Sequence, residues 1–503
     1  MAVNYEERSA HRSIVERILI SGELFLLSPA HFGGAEEDAL TDMPVLLNEV
    51  DDRPLLPGTS IAGALRNYLR EFEGGDLKPA PRKKQNRDLI EDERKLAATI
   101  LFGGFRGDDD GMQSPLIVED SVGNLSDFEL RDGVSIEPST RTAKDDQKFD
   151  MQLLGAGTSF PLQFELVIRE HDSRDELLRA LATALKGFEE SAITMGARKR
   201  RGFGTCRVDG WKVRFYDLKT KQGLLDWLST NRAWASKDSA KPGSIMEVLE
   251  VDRLLEDNRR RATLRAAFGI DGTLLIRSGF GDLDARADTV HLHAARKGKP
   301  GGVAVIPGTS WAGILRHRAL KIARTVSGDA NSQHTATAFV DALFGPSEIK
   351  QKKTFDEAAD PVKASRITIE ESEIRHAESL EVTRVAIDRF TGGVFEGALF
   401  TEQPLVGKDD SDVELTLTLR NPKDAELGLL LLLLKDLWTG DLPLGGESGV
   451  GRGRLKGREA SLRVGDREWS IREKPDGRLQ ISPDASALEE FVKAFNAEME
   501  GAK

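Results

Sequence analysis

Two short segments place arginine beside glycine, Arg200-Arg201-Gly202-Phe203-Gly204 and Gly449-Val450-Gly451-Arg452-Gly453. Glycine lets a backbone approach a phosphate and arginine neutralises it through a forked set of donors, so both segments point to phosphate binding. A nucleotide-hydrolysing loop is the rival reading. Gly446 and Gly451 stand at the separation its two glycines need, but Arg452 and Gly453 occupy the places of its lysine and its serine or threonine, which disfavours nucleotide hydrolysis. A second pair of segments shares the preference for anions. Gly58-Thr59-Ser60 and Gly308-Thr309-Ser310, each behind a proline, open apolar runs at helical spacing. Thr or Ser is therefore expected as N-cap, with the first backbone N–H groups and the helix dipole facing an anion. An ordinary helix start accounts for either segment taken singly.

These segments come in pairs because most of the chain does. Leu56 to Arg66 (LPGTSIAGALR) returns as Ile306 to Arg316 (IPGTSWAGILR), an offset of 250 (307 − 57). Leu101-Phe102-Gly103 returns as Leu343-Phe344-Gly345, Glu119-Asp120-Ser121 as Glu370-Glu371-Ser372, and Gly196 to Gly204 as Gly445 to Gly453. Constant order at a nearly constant offset marks an internal duplication. The first copy has an alternating strand over Ser13 to Leu27, a helix over Ser60 to Phe72, strands at Leu116 to Glu119 and Leu162 to Arg169, and a helix over Glu176 to Glu189. The second repeats this with a strand over Thr263 to Ile276, a helix over Ser310 to Ala323, strands at Ile367 to Glu370 and Val413 to Leu419, and a helix over Asp424 to Trp438. With a closing strand, the order in each copy is that of the split ferredoxin-like unit. The expected fold is α+β, two tandem RRM-like (ferredoxin-like) domains, each an antiparallel sheet with helices on one face. The domains are placed at residues 1–240 and 259–503 with a linker at 241–258. Beyond Gly457 an extension adds strands and an amphipathic helix over Ala485 to Glu498.

Composition narrows the function. The chain of 503 residues carries a formal net charge of −12, which argues against a generic nucleic-acid binder and confines positive charge to particular loops, among them Arg82-Lys83-Lys84, Arg198 to Arg201, Lys352-Lys353 and Arg452-Gly453-Arg454. One cysteine, Cys206, excludes an intramolecular disulfide and any multi-cysteine metal site. The longest apolar run, Leu429 to Leu434, is too short to cross a bilayer, and the first residues lack a secretory pattern, so no membrane role and a cytoplasmic address are expected.

Together, the strand followed by His31-Phe32-Gly33-Gly34, the aspartate before Met43-Pro44-Val45, the helix-start motif, Leu-Phe-Gly and the closing glycine loop resemble the RAMP superfamily, specifically the backbone subunits of type III CRISPR effector complexes. Two such units in one chain are most similar to the fused double backbone subunit of the type III-D branch. The resemblance implies an RRM-like core with an inserted thumb hairpin, binding to a guide CRISPR RNA and a complementary target RNA, assembly with other effector subunits, and in many members target cleavage by a loop aspartate. That position falls on Asp42 in the first copy and Asp288 in the second. The implied chemistry is attack by a ribose 2′-hydroxyl on its own phosphate, with the aspartate orienting it or accepting a proton and a divalent cation, Mg2+ by preference, assisting. Implied RNA contacts are His31, Gly58, Thr59, Ser60, Arg66, Arg141, Arg200, Arg201, Gly202 and Gly204 in the first copy, and Gly308, Thr309, Ser310, Arg316, Arg389, Gly451, Arg452 and Gly453 in the second.

Thumbs are expected within Ser135 to Phe160 and Thr383 to Leu405, where Met151, Leu153, Phe390 and Phe395 either wedge between bases or pack inward. Asp288 precedes Thr-Val-His instead of Met-Pro-Val, and His31 has no histidine counterpart, so a second copy that only positions RNA is a live alternative. A non-catalytic guide-binding scaffold is the runner-up for the whole chain. A guide-processing ribonuclease would want a histidine acid–base pair, for which His31 is thin support.

Overall fold

The structure is a computed structural model that describes residues 13–34, 41–75, 94–104, 112–137, 140, 142–229, 242–278, 287–296, 299–328, 333–346, 364–474 and 476–501. In the first domain β1 (Ile14–Leu26) buries Ile18, Ile20, Leu24 and Leu26, the two-residue period of a strand with one covered face. Helix α1 (Gly58–Gly74) buries Ile61, Leu65, Tyr68, Leu69 and Phe72, a single stripe at helical spacing. Strand β2 (Leu116–Val118) follows, then the hairpin β3 (Phe128–Ile136) and β4 (Ala143–Leu154), strand β5 (Ser159–Arg169), helix α2 (Arg174–Glu189) and strand β6 (Cys206–Asp217). The sheet runs β6-β1-β5-β2 with every pairing antiparallel. Phe160, Phe164, Phe188 and Trp211 fill the layer between sheet and helices.

The second domain repeats the plan. Among its elements are β7 (Arg261–Asp271), β8 (Thr289–His291), β9 (His293–Arg296), α3 (Gly308–Ser327), β10 (Ile367–Ile369), β11 (Ser372–Ser379), the hairpin β12 (Val382–Ile387) and β13 (Val394–Gln403), β14 (Leu405–Arg420), α4 (Asp424–Trp438) and β15 (Arg454–Val464). The core order β15-β7-β14-β10 matches the first sheet strand for strand. Two RRM-like α+β units are therefore present, each carrying a hairpin outside its sheet. The first hairpin starts at Phe128 rather than near Ser135, and its first residues alternate as a strand does but with the charged side chains, Glu129 and Arg131, on the buried side.

Two connections do more than join. The linker residues 242–258 lie along the first domain: Gly243 and Trp211 exchange backbone hydrogen bonds of 3.0 and 2.9 Å, the Ile245 N–H donates to Glu189 Oε1 at 2.6 Å, and the Asn258 N–H donates to the Phe72 carbonyl at 2.8 Å. Beyond β15, strands β16 (Arg467–Glu473) and β17 (Leu479–Ser482) lengthen the second sheet, and α5 (Ser486–Glu500) buries Leu488, Phe491, Phe495 and Met499. Each such side chain contributes about 1.5–3 kcal/mol, so the extension is part of the second core. Helix α5 approaches α4 at Gly428, where any side chain would strike the Phe491 carbonyl.

Candidate nucleic-acid interface and cleavage sites

Asp42 and Asp288 are both exposed, and both are held in the same way. Asp42 Oδ2 accepts the backbone N–H of Asp150 on β4 at 2.9 Å, and Asp288 Oδ2 accepts the backbone N–H of Thr401 on β13 at 2.7 Å. Asp150 and Thr401 are themselves repeat equivalents (401 − 150 = 251). The residues that follow pair in parallel with the hairpin in both copies, Met43 with Met151 and Thr289 with Glu402. A backbone donor fixes one carboxylate oxygen at the base of each hairpin, and the exposed remainder of the carboxylate faces outward. The sequence departures around Asp288 leave this geometry intact, because the clamp uses main chain on the hairpin side.

The glycine loops and helix starts are less alike. Helices α1 and α3 begin behind Pro57 and Pro307 with no side-chain cap, so the expected Thr or Ser cap is corrected. At α1 the protein's own carboxylate takes the anion's place, with the Gly58 N–H donating to Asp120 Oδ1 at 2.6 Å. Thr59 and Ser60 stay exposed, while Thr309 and Ser310 are half-buried. The glycines serve close packing more than phosphate contact. A side chain at Gly58 would strike the Val118 carbonyl, at Gly308 the Arg201 carbonyl, at Gly204 the Met195 carbonyl and at Gly453 the Leu444 carbonyl, and at Gly202 it would stand 2.5 Å from the Glu371 nitrogen. Gly451 is open, with none of the described residues within 4 Å of where its side chain would stand.

A model of the RAMP superfamily matches residues 23–207 and again 273–456, together more than half of the chain. The chain belongs to the RAMP superfamily. It is also similar to the CRISPR system Cms endoribonuclease Csm3 of Streptococcus thermophilus, 24% identical over 224 residues that make up 42% of this chain and 96% of that protein. The relative is thus about as long as one RAMP unit, and this chain holds two.

Several residues expected to touch RNA are spent inside the RAMP units. His31 is 3% exposed and its Nδ1 lies 2.9 Å from the Gln152 carbonyl, so it braces β4 and offers no surface to a ligand. Arg452, also 3% exposed, sits 3.0 Å from Glu402 and 2.7 Å from Glu447, and two carboxylates satisfy its charge in place of a phosphate. Arg66 donates weakly to the Gly104 carbonyl at 3.5 Å, and Arg316 reaches Gly345 at 3.3 Å and pairs with Asp341, so both tie a helix to the Leu-Phe-Gly turn. Arg389 is exposed at the tip of the second hairpin beside Phe390, which is 97% exposed. Met151 and Leu153 are buried and pack inward, whereas Phe395 is exposed with Phe390. Arg141 lies outside the described residues.

The first loop gathers cations and no carboxylate pairs with them among the described residues. Within that set Arg200 has no hydrogen bond or ion pair, and burial, followed by repulsion from Arg420, lowers its guanidinium pKa to about 10. Burial, then Arg200, lowers the ammonium pKa of Lys199, and burial, then Arg316, lowers the guanidinium pKa of Arg201. Arg201 Nη2 donates to the Phe344 carbonyl at 3.3 Å, and its Nη1 is buried without a hydrogen-bond partner among the described residues. Desolvated like charges are costly unless an anion joins them, so the arrangement of this loop can accept an anion. Sequence reading missed Arg131 and Arg384, one on each hairpin, which both enter ion clusters; they are not equivalent positions, since Arg131 stands opposite Met151 while Val382 stands opposite Glu402 and Arg384 opposite Phe400. Among the described residues no cluster of three or more His, Cys, Asp or Glu side chains is arranged to hold a metal ion, and no helix is long and apolar enough to cross a membrane.

Proposed function

We propose that this chain is a guide-RNA-binding backbone subunit of a type III CRISPR effector and that it cleaves complementary target RNA at two places, with Asp42 and Asp288 as the reactive carboxylates. The observation that carries the reading is the shared clamp: two exposed aspartates a repeat apart, each fixed through one oxygen by a thumb backbone N–H. A carboxylate held in this way orients a ribose 2′-hydroxyl and takes its proton while the oxygen attacks the adjacent phosphorus. The P–O2′ bond forms and the P–O5′ bond breaks, leaving a cyclic phosphate and a 5′-hydroxyl. Asp42 and Asp288 would each offer one carboxylate to a divalent cation, Mg2+ by preference, which would supply charge neutralisation at the phosphate.

Lys199, Arg200 and Arg201 neutralise guide phosphates at the junction of the two units, and the exposed Arg389, Phe390 and Phe395 of the second thumb meet the guide–target duplex. The relative from Streptococcus, named as an endoribonuclease of a CRISPR system, supports RNA cleavage as the activity. The test is cleavage of end-labelled complementary RNA by the assembled complex, with and without Mg2+, in the wild type and Asp42→Ala. The reading predicts Mg2+-dependent products of which the substitution removes one. Products that are all unchanged in Asp42→Ala, or none in any condition, would leave the scaffold reading.

A further inference from the structure

The first thumb is fastened to the second domain. Arg131 on β3 donates through Nη1 to Glu371 Oε2 at 2.5 Å, and through Nε and Nη2 to Glu129 Oε2 at 3.1 and 2.7 Å. Glu371 Oε1 accepts from Arg296 Nη2 at 2.9 Å, and Glu129 Oε1 accepts the backbone N–H of Ala295 at 2.9 Å. Arg131, Glu129 and Glu371 are buried. The second thumb has no such outside anchor among the described residues. Val382 stands at the place of Arg131, opposite Glu402, and the hairpin's arginine two residues further on, Arg384, turns to Glu447 at 3.2 Å and Glu402 at 3.5 Å, both within its own domain.

The anchor leads to Asp42 through few steps. Arg131 stands opposite Met151 in the β3/β4 register, Met151 bridges Met43, and the neighbouring Asp150 N–H holds the Asp42 carboxylate. A two-stranded hairpin is marginal without support, and a buried ion pair holds its geometry only while both partners remain. We propose that Arg131 and Glu371 are positioning residues through which the second domain sets the pose of Asp42, so that one half of the chain controls cutting by the other, while Asp288 is posed by its own domain. This rests on Asp42 as the reactive carboxylate.

The test uses Glu371→Gln, which keeps the shape and removes the charge. In the assembled complex, formation of the Asp42-dependent product falls about 10- to 100-fold. Formation of the Asp288-dependent product stays within about twofold, and the double substitution Arg131→Gln with Glu371→Gln is no worse than the more damaging single, because the two act as one unit. In the full chain, hydrogen exchange at the Asp150 amide speeds up while the Thr401 amide is unmoved. Products that fall together, substitutions whose effects multiply, both amides loosening together or an unchanged Asp150 amide would each overturn the proposal. If no product depends on Asp42 in the Asp42→Ala control, it is the cleavage reading that fails, and exchange at Asp150 still decides whether Glu371 positions that carboxylate.

Discussion

Beneath the first thumb Met43, Met151, Leu153 and Phe203 close on one another as a small apolar cluster. Beneath the second, the equivalents of Met151 and Phe203 are Glu402 and Arg452 (402 − 151 = 251; 452 − 203 = 249), joined by Glu447, Arg384 and Arg277. One backbone plan thus carries two kinds of foundation. The apolar one holds no ion pair, and Arg131 above it pairs with Glu129 on its own hairpin and also reaches across the domain boundary to Glu371. The ionic one satisfies Arg384 locally, and the second thumb stands on its own domain. The contrast separates what the clamp on the aspartate requires, a backbone N–H at the hairpin base, from what can vary beneath it.

The strongest way to break this comparison is at Glu402. Glu402→Ala leaves Arg452 buried without one of its counter-charges and is expected to destabilise the second domain by about 3–5 kcal/mol, read from denaturant unfolding. Replacing the pair with the residues of the first copy, Glu402→Met with Arg452→Phe, is expected to be neutral or stabilising by about 1–4 kcal/mol. A double variant as unstable as Glu402→Ala would mean the two foundations are not interchangeable.

Acid separates the two thumbs in a second way. Burial pushes Glu447 up, but its hydrogen bond with Glu402 and the charges of Arg452 and Arg384 pull it lower and prevail. A carboxyl whose folded pKa is depressed adds stability above its unfolded value and loses it as pH falls through the folded one, so the second thumb should loosen below the ordinary glutamate range of about 4.3. At the first thumb the signs oppose. Burial raises Glu129, which favours folding in acid, while at Glu371 burial is outweighed by Arg131 and Arg296 and the value is lowered, which favours folding at higher pH. Hydrogen exchange between neutral pH and pH values under the glutamate range should therefore show Thr401 losing protection before Asp150.

The smaller effect concerns the two glycine loops. Each phosphate that a side chain neutralises adds about 0.7–0.9 to the slope of log affinity for RNA against log salt, so neutralising Lys199, Arg200 and Arg201 together should reduce that slope by roughly 2–3. Arg452→Gln should leave the slope unchanged, since its guanidinium is committed to Glu402 and Glu447. Equal slope changes would show that the loops are equivalent after all.

What was legible in the chain is what depends on near neighbours. The strand at Ile14–Leu26, the helices behind Pro57 and Pro307 and the 250-residue offset follow from local period and repetition, and they suffice for the RRM-like order. Asp42 and Asp288 were also legible, through motif and offset. What hid were partners distant in sequence. Nothing local says that Asp120 accepts the Gly58 N–H from 62 positions away, or that Arg131 meets Glu371 across 240. Arg452 and His31 misled for the same reason, since an arginine between glycines and a histidine in a glycine loop suggest exposure, and only Glu402, Glu447 and the Gln152 carbonyl reveal their burial.

The central claim, two equivalent aspartates in one chain, is tested most directly by mapping target-RNA products from complexes carrying Asp288→Ala, Asp42→Ala and both. Each carboxylate is exposed and accepts one backbone N–H, so its removal costs about 1 kcal/mol of folding stability, and guide and target binding should stay near wild type. The account predicts that each single substitution erases a different product and that the double erases both. Loss of the same product in both singles, or a full set of products in Asp288→Ala with binding intact, would contradict it.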